Sequence, residues 1–238
     1  TKKKIIFNFR KNDILNGGEG APLTPIFHQL LATQKNFLLP ACFLNIGGIS
    51  NVTIVNKSIG SSELFSKDIG PGNCLIDNWM RKNTNKKFDN EGKLASLGKK
   101  NQIILEQAQE LYTNRINKEK SSLDVNDFDI SFARGLSLEN GASTITAFTV
   151  DILSKNLLKN DIYVCGGGRE NHFLISSIQK KIQNKIQKID NIGIDGNFIE
   201  SQAFGYLAIR SFLKLPISFP STTGCKQPST GGVIVKNY

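Results

Sequence analysis

Histidine and cysteine are scarce, and their placement suits no metal site. The chain has two histidines, His28 and His172, and four cysteines, Cys42, Cys74, Cys165 and Cys225, with no C-x-x-C pair among them. That disfavours zinc. The cysteines sit in or beside apolar runs, so they read as buried free thiols of a reducing compartment, which points to the cytoplasm. No apolar run approaches the roughly 20 residues that a membrane-spanning helix needs, and no membrane partner is expected. Two nucleotide signatures are missing, G-x-x-x-x-G-K-[ST] and a G-x-G-x-x-G after a strand, so neither a P-loop enzyme nor a dinucleotide enzyme is favoured. Acidic residues number 20 against 30 Lys plus Arg, for a net charge of +10. Such a balance invites nucleic acid. Here the lysines are scattered (Lys86, Lys87, Lys99, Lys100, Lys180, Lys181) without interleaved Arg and aromatic residues. A solvated basic surface is the simpler reading, with no nucleic-acid partner.

What is present suffices for a folded core. With 238 residues, 39% of them hydrophobic and 21% charged, the chain fits one large domain or two small ones and not a disordered segment. Thr1 leads directly into Ile5-Ile6-Phe7, which reads as an interior strand, so an upstream part of the polypeptide is expected. Strands are predicted over residues 5–9, 41–46, 51–55, 63–67 and 161–165, with 233–235 as a closing strand. Helices are predicted over 25–33, from near Asn73, and over 102–114, 139–158, 171–183 and 198–213. Residues 118–129 read as a surface loop. Hairpin-led strands followed by alternating helices and strands give an α/β fold, a mixed sheet with helices on both faces.

Three glycine-bearing turns each end a predicted strand: Asn45-Ile46-Gly47-Gly48-Ile49-Ser50-Asn51, Asp68-Ile69-Gly70-Pro71-Gly72-Asn73 and Cys165-Gly166-Gly167-Gly168. Glycine lets the backbone approach an anion closely, and successive amide N–H groups can point at it. Ligands gather at the strand ends of α/β sheets. A hairpin turn by itself accounts for Gly47-Gly48. Three such turns in one chain, one of them led by Asp68, favour nucleotide binding. A strand–turn–strand phosphate loop is the device of the actin and hexokinase superfamily.

Further segments follow in a recognisable order. They are Gly18-Glu19-Gly20-Ala21-Pro22-Leu23-Thr24-Pro25-Ile26-Phe27-His28, the first two glycine turns with Asp77 and Trp79, and Phe88-Asp89 with Gly92, Leu94, Ala95 and Gly98. Residues 144–149, the third glycine turn with Asn171, Glu200 with Ala203-Phe204, Leu207-Ala208-Ile209-Arg210 and Thr223-Gly224 complete the set. Across nearly its whole length the chain resembles the anhydro-N-acetylmuramic acid kinases of bacterial cell-wall recycling. It departs from their pattern in three places. Nothing matches the Gly-, Ser- and Asp-containing turn of the family's first lobe. Asn8 stands where the family's Asp-Phe-Arg stretch has its carboxylate. Lys120-Ser121-Ser122-Leu123 replaces Lys-Ser-Thr-Gly.

The resemblance implies an actin-like ATPase (ribonuclease H-like) fold of two lobes. Residues 1 to about 40 would end the first lobe and 41–238 would form the second, with ATP between them and Mg²⁺ bridging its phosphates. Phosphate contacts are implied for Asn45, Gly47, Gly48, Ser50 and Asn51, cofactor contacts for Gly70, Gly72 and Asn73, and adenosine contacts for Gly166, Gly167, Gly168 and Asn171. No protein metal ligand is assigned. The sugar would meet Arg10, Asp13, Gly18, Gly20, Pro22 and His28. In a 1,6-anhydro sugar O6 is tied to C1, so the implied reaction opens the ring with water at C1 while O6 takes the γ-phosphoryl group, giving N-acetylmuramic acid 6-phosphate. Asp68 is the implied base and Glu200, at a helix start, a supporting carboxylate. Each also has a structural reading, Asp68 as a turn or N-cap residue and Glu200 as a cap, and His28 reads equally as a packing residue. Asp77 is taken as structural. Another actin-like sugar kinase and a non-catalytic nucleotide-binding fragment are the alternatives, and a homodimer stays open.

Overall fold

A computed structural model describes residues 4–57, 64–115, 122–157 and 161–235. In chain order the main elements are β1 (Ile5–Phe7), α1 (Arg10–Leu15), α2 (Pro25–Gln34), β2 (Ala41–Ile46), β3 (Ile49–Val55), β4 (Leu64–Pro71) and α3 (Cys74–Asn83). Then come α4 (Lys93–Leu97), α5 (Gln102–Arg115), α6 (Leu138–Asn156), β5 (Ile162–Cys165), α7 (His172–Lys181), β6 (Ile186–Lys188), α8 (Ile199–Phe212), α9 (Pro220–Thr223) and β7 (Val233–Val235).

The central strands are apolar on both sides. In β2, Ala41 and Phe43 join one buried cluster while Cys42, Leu44 and Ile46 join another. Val52 and Ile54 of β3 lie with the second cluster and Val55 with the first. Successive strand residues point to opposite faces, so a strand of this kind needs cover on both. Helices α2 and α8 supply it on one face with Ile26, Phe27, Leu31, Ala203 and Leu207. Helices α6 and α7 supply it on the other with Val150, Leu153, Leu174 and Ile178. Each such side chain contributes about 1.5–3 kcal/mol on full burial. The sheet runs β4-β3-β2-β5-β6, antiparallel through β4, β3 and β2 and parallel through β2, β5 and β6. This is the mixed sheet with helices on both faces that the pattern predicts.

A third cluster fills the space between α3, α4, α5 and α6. Gly141 makes the α3–α6 contact possible: a Cβ there would lie 2.1 Å from the Trp79 ring, whose Nε1–H donates to the Leu138 carbonyl at 2.9 Å.

The predicted elements are found with shifted ends, and several differences have plain causes. The first strand stops at Phe7 because Asn8 takes φ 57°, the left-handed region that Asn tolerates best after Gly. Helix α1 was not predicted, since its two apolar residues, Ile14 and Leu15, are 56% and 75% exposed and give no buried stripe. Strand β4 runs on to Pro71, so Asp68 lies within a strand rather than beyond its end. The closing strand β7 pairs only with β1, in a separate two-stranded ribbon. Residues 125–127 of the predicted loop form a 3₁₀ turn. Residues 63, 118–121 and 158 of the predicted elements lie outside the described residues.

Candidate active site

A polar row crosses the sheet. Asp68 of β4 is paired in register with Asn51 of β3, Asn51 with Asn45 of β2, and Asn45 with Cys165 of β5. Residues directly opposite on neighbouring strands share a face. For this row it is the face of Phe43 and Val55, covered by α2 and α8. Just beyond Asp68 the ladder skips Ile69, because Ser50 pairs with Gly70. A bulge of this kind turns the strand, and bulges recur beside active sites.

The three glycine turns meet at one end of this row. The amides of Gly72 and Cys74 donate to the Gly48 carbonyl at 2.9 and 3.1 Å, and that of Asn73 to the Gly47 carbonyl at 2.8 Å. These three N–H groups are therefore not free to face an anion, as the sequence alone led one to expect for Gly72 and Asn73. What Gly72 provides is close approach: a Cβ there would lie 2.2 Å from the Gly47 oxygen. The third turn docks on the first. A Cβ on Gly166 would lie 2.4 Å from Asn45 Oδ1, and one on Gly168 2.2 Å from the Ile46 side chain. Gly70 is needed against α6, where a Cβ would meet Ile152 at 2.5 Å. Gly167 is different: a Cβ there meets nothing within 4 Å. Ser50 is fully buried, while Asn51 Oδ1 is buried without a hydrogen-bond partner among the described residues.

Two cavities flank Gly167. One, of about 220 Å³, is lined by His28, Asn45, Cys165, Gly166, Arg169, Asn197 and Glu200 among others. The other, of about 270 Å³, is lined by Asn73, Asp77, Phe88, Glu91, Glu170 and Asn171 among others. Sequence reasoning placed Asn45, Gly166, His28 and Glu200 near ligand, and the fold brings them together. It missed Arg169, Asn197, Phe88 and Glu170, and it took Asp77 as structural. Burial raises the Asp77 carboxyl to about 6, against the pull of Arg81. Asn171 uses its Oδ1 as the N-cap of α7, accepting from the Leu174 amide at 2.9 Å.

Asp68 lines neither of these cavities. It is half-buried, and its Oδ2 accepts from the Leu123 amide at 2.8 Å. Burial raises its pKa; the Leu123 amide and Ser122 hydroxyl pull it back, and Glu19 adds a like charge. Glu19 belongs to the Gly18–Gly20 loop, which Asp13 holds. Asp13 is 1% exposed; it accepts from the Gly20 amide at 2.7 Å and from the Thr223 hydroxyl at 2.6 Å. A Cβ on Gly18 would lie 2.3 Å from the Asp13 carboxylate. Gly20, at φ 76°, packs on Ile14. Asp13, Gly18 and Gly20 thus shape the loop. Arg10 is exposed at the start of α1, and Pro22 is buried.

His28 is 2% exposed, stacked on Phe43 at 4.8 Å between centroids, with Nδ1 at 2.9 Å from the Thr53 hydroxyl. Burial lowers its pKa to about 4 from 6.5. Between those values the unfolded chain binds a proton that the folded chain does not. Stability is therefore lost as pH falls through that window, by roughly 3 kcal/mol. Thermal melts between pH 7 and 4 should show a shallower decline for His28→Gln than for wild type; equal slopes would assign the acid sensitivity to other groups.

Residues 1–237 match the sequence model of the family described as anhydro-N-acetylmuramic acid kinase. The chain is 52% identical over 248 residues to the anhydro-N-acetylmuramic acid kinase of Pelagibacter ubique (strain HTCC1062), covering 100% of this chain and 66% of that protein. It is 38% identical to the kinase of the same name from Methylobacterium nodulans, covering 98% of this chain and 62% of that one. For the Zymomonas mobilis kinase the identity is 36%, with 98% and 64% covered. Among solved structures, an activator of the 2-hydroxyisocaproyl-CoA dehydratase from Clostridium difficile aligns with a TM-score of 0.42 and 11% identity over 76% of this chain and 69% of that chain. The chain spans about two thirds of the length of the curated relatives it matches, 62–66% in these three. With residues 1–237 matching the family model and the relatives 36–52% identical, the chain belongs to the anhydro-N-acetylmuramic acid kinase family.

Proposed function

We propose that this chain carries the nucleotide- and sugar-binding sheet of an ATP-dependent kinase. The kinase opens the 1,6-anhydro ring of anhydro-N-acetylmuramic acid and phosphorylates O6, giving N-acetylmuramic acid 6-phosphate during cell-wall recycling in the cytoplasm. The observation that carries this reading is the row Asp68–Asn51–Asn45 across three paired strands, at the joined glycine turns and on the sheet face covered by α2, with His28, and α8, with Glu200. An actin-like cleft would place ATP between this sheet and a first lobe ending near residue 40.

The residues fit a nucleotide. Gly167 leaves open space between two cavities, and Asn51 Oδ1 is a buried acceptor that a ligand hydroxyl would satisfy. Phosphates would fit beside Gly47 and Gly48, where bare backbone allows close approach. Among the described residues no group of three or more His, Cys, Asp or Glu could hold a metal ion. With ATP bound, Mg²⁺ would be held chiefly through phosphate oxygens and water. Bound Mg·ATP supplies the γ-phosphoryl group and the charge neutralisation its transfer needs.

The chain's own residues do the rest. Asp68, ionised, takes a proton from the water that bonds to C1. The C1–O6 bond breaks, and O6 bonds to the γ-phosphorus as ADP leaves. Glu200, in the first turn of α8, would orient the sugar in the 220 Å³ cavity. The test is incubation of the full-length protein with ATP and the anhydro sugar. ADP and the 6-phosphate should appear one for one. ATP hydrolysis without a sugar phosphate would refute the reading, and phosphorylation of a free 6-hydroxyl sugar instead would favour another sugar kinase.

A further inference from the structure

The Gly166–Gly168 turn borders both cavities, and besides its docking on Asn45 and Ile46 it is tied to a distant part of the chain by one side chain. It is followed by a 3₁₀ turn, Gly167–Glu170, that places the Arg169 side chain inside the protein at 2% exposure. The guanidinium spends its donors on three separate pieces of chain. Nε donates to Asp190 Oδ2 at 2.9 Å, Nη1 to the Gly166 carbonyl at 3.1 Å, and Nη2 to Asn197 Oδ1 at 2.9 Å. Asp190 also accepts from the Gly196 amide at 3.1 Å, and Gly196 has no room for a side chain because a Cβ would lie 2.3 Å from Arg169 Nε. Asn197 stands three residues before Glu200, in the first turn of α8. One planar fork therefore ties the glycine turn to the segment that leads into Glu200, across the cavity both of them line.

Burying a guanidinium costs several kcal/mol of desolvation, and a buried ion pair often adds little net stability over an apolar substitute. A rigid fork does fix geometry, which an apolar contact or a flexible ammonium does not. We propose that Arg169 is a positioning residue for phosphoryl transfer: it sets the Gly166–Gly168 turn at a fixed distance from Glu200 and so holds one substrate against the other. This rests on the kinase reading above. Lys181–Asp151, an ion pair between α7 and α6 that lines neither cavity, serves as the comparison.

The experiment compares Arg169→Met, Arg169→Lys and Lys181→Met in the full-length enzyme. Misplacement by about 1 Å can cost on the order of 100-fold in rate. Arg169→Met should lower kcat per active site by roughly 10- to 100-fold, with each substrate's Kd changed only a few-fold. Arg169→Lys should recover part of kcat. Adding Asp190→Asn to Arg169→Met should cost little more, because the pair acts as a unit. Lys181→Met should lower Tm and leave kcat near wild type. The proposal is overturned if Arg169→Met keeps kcat within twofold of wild type, if its loss is matched by Lys181→Met, or if the two changes at the pair multiply. Should the wild-type enzyme bind ATP but make no sugar phosphate, the kinase reading is what has failed. Amide exchange at Gly167–Glu170 then decides the positioning claim: at least tenfold faster in Arg169→Met upholds it, and unchanged exchange sinks it.

Discussion

Asp68→Asn in the full-length enzyme should lose about 10²–10⁴ in kcat, the usual cost of removing a general base. Binding of ATP and of the sugar should stay near wild type, because the carboxylate is asked to act only as water attacks C1. The fold should survive. The Leu123 amide can donate to an amide oxygen as it does to Asp68 Oδ2, and burial already disfavours the charged form of Asp68. The same burial sets a pH signature. A base must be ionised, and the raised pKa moves the acid limb of kcat upward, whereas Asp68→Asn should have no such limb. Asp77→Asn is the comparison. It lines the second cavity with a carboxyl at about 6, so it should shift the nucleotide KM with little change in kcat. An Asp68→Asn enzyme within a few-fold of wild type, beside a dead Asp77→Asn enzyme, would move the base from Asp68 to Asp77.

The apolar run of residues 41–46 and the Gly47-Gly48 turn were enough to place the central hairpin, and the helical spacing of 139–158 was enough to place α6. Elements with no buried stripe left no periodic signal, as with α1, or were too short to leave one, as with the three residues of β6. The site divides the same way. The glycine turns are visible as composition because each needs bare backbone. What lies between them is not, since it depends on contacts far apart in sequence. Asp68 and Leu123 are 55 residues apart, and Asp13 and Thr223 are 210 apart. Arg169 follows the glycines directly and reads in sequence as one more surface cation. Only the closed chain shows that Asp190, Gly196 and Asn197 surround it. The pairing of Asn45 with Asn51 follows from the predicted hairpin, whereas Asp68, expected just past the end of its strand, pairs with Asn51 because β4 runs on. The bulge at Ile69 lies just beyond that pair, and no turn signal announces it.

Three neighbouring glycines give the last and sharpest contrast. Gly166 sits at φ 78° over Asn45, and Gly168 presses on Ile46, so both are glycine for reasons of backbone and packing. Gly168→Val would drive its side chain into the sheet, an overpacking that typically costs 1–3 kcal/mol or more, and should lower Tm or abolish folding. A Cβ at Gly167 meets nothing within 4 Å, so the Tm of Gly167→Val should stay within the small range of surface substitutions. The added isopropyl group enters the space between the two cavities instead. If adenosine lies there, the ATP KM should rise by about 10- to 100-fold, or about 1.4–2.8 kcal/mol of binding. Sugar affinity measured without nucleotide should change far less. Because Gly167 borders both cavities, the pair of titrations decides which ligand the turn serves. A Gly167→Val protein that melts normally, binds ATP normally and loses the sugar would assign the turn to the sugar. One that melts normally and binds both normally would leave the turn outside the site altogether.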